Sequence, residues 1–134
     1  MSKSADSYGA YAVADRLPQT GSQGIGAVFL KSADALEKLV AGEMPTELAQ
    51  TTLEKVRDLW TIMQIGLVDP ETVGPDQLKA NLVSLSIFAD GVLLGLDARA
   101  GLSEQEIAGL RNLAEIHRHL GVGFTSMPNP EAGA

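Results

Sequence analysis

The longest apolar stretch of the chain, Leu78 to Leu96, leaves it few ways to fold. Asp90 lies inside the stretch, Lys79 and Asp97 bracket it, and Asn81, Ser84 and Ser86 interrupt it. Ten residues separate Lys79 from Asp90, whereas a bilayer crossing needs about 20 predominantly apolar residues. A carboxylate at membrane depth also costs roughly 2.5–3.5 kcal/mol on insertion scales. The stretch therefore reads as a helix of a soluble fold, opened by Pro75 and Asp76 and running to about Ala98. Leu78, Leu82, Leu85, Ala89, Val92 and Leu96 line one side, and Val83, Ile87 and Leu94 line another. Charge is confined to Lys79, Asp90 and Asp97. A helix apolar around most of its circumference is expected at the centre of its fold.

Three further segments carry the helical period. Ile25, Phe29, Leu36 and Val40 define the first, over 25–40, with Gly42 as a C-terminal stop. The second runs from Thr46 or Glu47 to Leu67, with Thr46 as a possible cap. Its stripe is Thr52, Val56, Leu59, Trp60, Met63 and Leu67, and Ile62 and Ile65 fall outside it. Asp69-Pro70-Glu71 then suggests a single turn ending at Gly74. The last segment has the cleanest local signature: Ser103 and Glu106 form a capping box, with Leu102 and Ile107 at the positions of a hydrophobic staple. Gly121 is expected to end it, and Gly101 to join it to the third segment in an antiparallel pair.

The expected fold is all-α, a compact bundle of about four main helices with short loops. The 134 residues are enough for one domain with a hydrophobic core, and no internal repeat is present. The expected organisation is a flexible N-terminal arm over 1–22, a helical domain over 23–123 and a C-terminal tail over 124–134. In the arm, Tyr8, Tyr11 and Val13 could dock on the body. In the tail, Pro128 and Pro130 cannot continue a helix. The first residues lack the continuous apolar run of a secretory signal, so cytoplasmic residence is the default expectation.

Composition removes several function classes. No cysteine is present, which excludes disulfides, thiolate nucleophiles and cysteine-ligated metals. Seventeen acidic residues against ten Lys and Arg give a net charge of -7, which argues against nucleic acid or anionic membrane as the main partner. His117 and His119, two apart on a helix, point about 160° from each other and cannot share an ion. Neither an H-E-x-x-H motif nor paired E-x-x-H motifs occur, so no metal is expected. The glycines at 21, 24 and 26 lack the strand and lysine of a phosphate loop, so no cofactor is expected either.

Two functional readings remain. His117 falls within the arc of Leu110, Leu113 and Leu120 and should face the core, where burial would lower its pKa. Asp90 is its natural carboxylate partner, giving a candidate catalytic pair with Trp60, Ser84 or Ser86 around a core pocket. In an antiparallel pair their offsets from Gly101 differ by five residues, about 7.5 Å along the axes, so contact requires a shifted register. The bland alternative is a half-buried histidine whose ring nitrogen bonds to a backbone carbonyl or hydroxyl. The favoured reading is a non-catalytic interaction or assembly protein. Gly91 and Gly95, sharing a face with Ser84, would let another backbone approach closely, and Ile62 and Ile65 form a second candidate surface. The expected partner is another protein or a second copy in a homodimer, with a small-molecule ligand left open.

Overall fold

The computed structural model describes residues 23–69 and 75–127. The described part of the N-terminal helix, α1, covers 23–40. It is followed by α2 (Thr46–Val68), α3 (Asp76–Leu93) and α4 (Glu104–Ser126). Among the described residues there is no strand, and the fold is an all-α, four-helix bundle. The expected arm at 1–22, the turn from Pro70 to Gly74 and the end of the tail lie outside the described residues.

Local chemistry sets most helix ends. Gly42 has φ +73°, and the amides of Gly42 and Glu43 donate to Leu39 O and Lys38 O, closing α1 in a Schellman turn. Ser103 caps α4: its Oγ accepts from the Glu106 amide at 3.0 Å, and Glu106 Oε1 accepts from the Ser103 amide at 2.8 Å. Thr46 does not cap α2. The capping position is Pro45, which makes no side-chain bond, so Thr46 is the first helical residue.

The core lies between α1, α2 and α4. Phe29 and Leu36 from α1, Leu53, Val56 and Trp60 from α2, and Leu110 and Leu113 from α4 are almost fully buried. Their spacings of three, four or seven residues turn each set to one face. As α1 proceeds from Gly26 to Ser32, the facing residues of α4 descend from Gly121 to His117, so the two helices are antiparallel.

Two expectations change. α4 does not stop at Gly121 but continues to Ser126 and buries Phe124, whose ring stacks on Phe29 with centroids 6.2 Å apart. Gly121 is instead a crossing point. A Cβ there would lie 3.0 Å from Gly26 O and 2.5 Å from Leu30 Cγ, and a Cβ on Gly26 would lie 2.7 Å from Gly121 O. The two glycines let the backbones of α1 and α4 touch.

Secondly, α3 is not the central helix. It buries Leu82, Ser86, Ala89 and Leu93 and leaves its other apolar side outward. It also ends at Leu93 rather than near Ala98. Gly95 turns the chain with φ +72°, and Arg57 of α2 donates to Leu93 O at 3.0 Å and Leu96 O at 2.7 Å. A guanidinium at a helix C-terminus satisfies carbonyls that have no intrahelical donor and suits the helix dipole. Gln50 Oε1 accepts from the Ala98 amide at 2.8 Å and fastens the following turn to α2 as well.

Candidate functional site

His117 is fully buried between three helices, and both its ring nitrogens are engaged. Trp60 Nε1 donates to His117 Nε2 at 2.9 Å. An indole N–H can only donate, so Nε2 must carry a lone pair and the proton of the neutral ring sits on Nδ1. Nδ1 lies 2.7 Å from Ser32 Oγ, to which it donates, and Ser32 Oγ donates in turn to Phe29 O at 3.0 Å. The chain Trp60–His117–Ser32–Phe29 thus runs donor to acceptor without a gap. Phe29 meets the imidazole edge to face with centroids 5.1 Å apart, and Trp60 does so at 5.6 Å. Burial lowers the His117 pKa to about 4, which keeps the ring neutral near pH 7.

Asp90 takes no part in this arrangement. It stands exposed on α3, where its Oδ2 accepts from Gln64 Nε2 of α2 at 2.7 Å. Of the other residues considered around a core pocket, Trp60 alone touches the imidazole. Ser86 is buried but donates to Val83 O at 2.7 Å, and Ser84 is exposed. Ser32 is the partner that periodicity did not single out. It follows Phe29 by three residues and precedes Leu36 by four, which is the spacing of the α1 stripe, and that was its available signal. A shallow depression lined by Asp34, Glu37, Lys38, Ala41 and Glu43 contains none of the residues around His117. Among the described residues no group of three or more His, Asp or Glu is placed to hold a metal ion.

The open side of the molecule is elsewhere. Ile65 is 66% exposed, Val68 77%, Ile87 67% and Leu94 82%, and Val83 and Phe88 are also well exposed. Of the five interface candidates, Ile65, Ser84, Gly91 and Gly95 are exposed and Ile62 is half-buried. Gly91 has open space where a Cβ would stand, while Gly95 belongs to the turn after α3 and not to its helical face. The Gln64–Asp90 hydrogen bond places the last turns of α2 beside the middle of α3. Ile65 and Val68 therefore open on the same flank as Val83 and Ile87. The apolar residues Val68, Val83, Ile87, Phe88 and Leu94 extend the expected surface well beyond small residues. Among the described residues no helix is long and apolar enough to cross a membrane.

No curated protein and no solved structure matches the chain. The family model described as Flagellar protein FlaF matches residues 8–120, well over half of the 134 residues and reaching into all four helices. With a closed core, an open apolar flank and a match of that extent, the chain belongs to the FlaF family of flagellar proteins.

Proposed function

We propose that the protein is a cytoplasmic, non-catalytic interaction protein that serves the flagellum by docking a protein partner, or a second copy, on the outer face of α2 and α3. The observation that carries this reading is the cluster of large apolar side chains left to solvent on that face, Ile65, Val68 and Ile87 foremost. Soluble monomers rarely expose contiguous large apolar side chains without a binding use for them. Ile65, Ser84 and Gly91 belong to the same docking surface. Membership of a family of flagellar proteins supplies the setting. A catalytic role for His117 draws no support from its surroundings, since a ring with both nitrogens engaged and no solvent access offers a substrate nothing.

The test is complementation of cells lacking this gene. A chain carrying Ile65→Ser and Ile87→Ser is expected to accumulate normally yet fail to restore flagella. Full restoration at normal protein level would overturn the reading.

A further inference from the structure

We infer that the occupant of the outer α2–α3 face is an amphipathic helix of another protein whose apolar stripe is flanked by Lys or Arg. The inference rests on the interaction role proposed above and names the chemistry of the partner.

Two exposed stripes run along the face at alternating spacings of three and four residues. On α2 the stripe is Glu54, Asp58, Thr61, Ile65 and Val68. On α3 it is Asp76, Ala80, Val83, Ile87, Asp90 and Leu94. This is the spacing by which one helix seats against others. The Gln64–Asp90 bond and the Arg57 bonds to Leu93 and Leu96 fix the register of the two stripes as antiparallel. In that register Ile65 and Val68 lie alongside Val83 and Ile87, giving an apolar middle. Glu54 and Asp58 lie toward one end and Asp76 at the other, while Asp90, bonded to Gln64, stands beside Ile65 at the edge of the apolar middle.

The charges choose the occupant. The two stripes carry four acidic residues and no Lys or Arg, and the cations nearest them, half-buried Lys79 beside Asp76 and Arg99 paired with Glu47, leave the face acidic on balance. Arg57, the basic residue of α2 nearest the α3 side, is committed to two main-chain carbonyls. A second copy seated here would bring the same acidic ends, and the same net charge of -7, against this one. Like charges facing each other oppose association, and opposite charges at a rim favour and steer it. An apolar helix with basic ends satisfies both the middle and the rim.

The experiment uses the full chain and two labelled synthetic helices of about 18 residues, long enough to span the face at 1.5 Å per residue. Both carry the same leucine stripe, one with Lys at its ends and the other with Glu. Anisotropy titration is expected to show the Lys helix binding at least about tenfold tighter. The difference should shrink between about 0.05 M and about 0.5 M salt as screening shortens the reach of the charges. Ile65→Ser with Ile87→Ser should remove binding of the Lys helix although every acidic residue is kept. Asp58→Lys with Asp76→Lys should reverse the preference between the two peptides.

Equal affinity for the two peptides, no binding of either, or binding indifferent to the isoleucine substitutions would overturn the inference. So would a homodimer in sedimentation equilibrium that Ile87→Ser disperses, since the occupant would then be a second copy. A Lys helix that binds only after residues 1–20 are deleted would equally overturn it, with the chain's own N-terminal segment as the occupant. Failure of the peptides combined with failed complementation by the isoleucine variant removes the partner's chemistry and leaves the interaction role standing.

Discussion

The surroundings of His117 and the outer flank of α3 are built from similar side chains and reach opposite ends. Around His117, three helices enclose Phe29, Trp60, Leu110 and Leu113, and each polar atom of the imidazole finds a partner. On the flank, Ile87, Val83 and Leu94 face solvent although their side chains are no less apolar. Burial in the first region is complete within the chain. In the second it is incomplete among the described residues, where α3 has neighbours on one side of its circumference and apolar residues on two. A buried polar network is costly when broken, since each orphaned group keeps its full desolvation penalty. An exposed apolar side chain contributes little to folding and can be exchanged at small cost. The two regions should therefore respond to substitution very differently.

The largest effect is expected at Trp60. Trp60→Ala removes a fully buried indole and leaves His117 Nε2 without its donor. Large-to-small core changes of this kind cost about 3–5 kcal/mol. Denaturant unfolding of the two proteins measures it, and a loss below about 1 kcal/mol would place Trp60 outside the cooperative core.

Next comes the acid limb of stability. His117 has a folded pKa of about 4 against an ordinary value of 6.5, so the unfolded chain takes up the proton first as pH falls. The histidine's contribution is whole above pH 6.5, declines as the pH drops toward 4, and is constant below that. The total is about 3 kcal/mol, at about 1.4 kcal/mol per pH unit for one proton. Unfolding free energies of wild type and His117→Gln across this window should diverge in slope by one proton, since the carboxylates are common to both. Parallel slopes would show that the imidazole is not held neutral in the folded chain.

A smaller effect, about 1 kcal/mol, is expected of Ser103→Ala, which removes the Oγ that accepts from the Glu106 amide. This cap belongs to neither region and calibrates both. A change within experimental error would mean that solvent replaces the hydroxyl at no cost.

What could be read from the sequence follows the range of the interaction concerned. The Ser103–Glu106 box and the Gly42 stop depend on residues within a few positions, and both were legible. The inward direction of His117 was legible from its place among Leu110, Leu113 and Leu120. Its partners were not, because Ser32 and Trp60 are brought to it by tertiary packing. Gly121 has the look of a helix stop in isolation. Its use as a contact with α1 depends on Gly26, on another helix far back in the chain. The position of α3 was the hardest to foresee. Hydropathy records that a side chain avoids water, and says nothing of whether its own chain or another supplies the cover. An apolar helix therefore reads as central when it is in fact shared between a core and a free face. Gly95 misled for a related reason: Arg57, reaching across from α2, meets the carbonyls where α3 ends and the chain turns away.

The smallest expected effect on stability tests the comparison most directly. Ile87 is 67% exposed, so Ile87→Ser removes little burial on folding. Serine and isoleucine also have similar helix propensities, which leaves no local reason for a large change. The stability of the variant should lie within about 0.5 kcal/mol of wild type. The same substitution, joined with Ile65→Ser, should abolish binding of the Lys-flanked helix. Stability unchanged with binding lost would separate a surface built for a partner from a core built for the fold. A loss of about 2 kcal/mol or more on Ile87→Ser alone would mean that the chain already covers this face. The contrast between the two regions would then collapse into one continuous core, and the functional reading drawn from it would go with it.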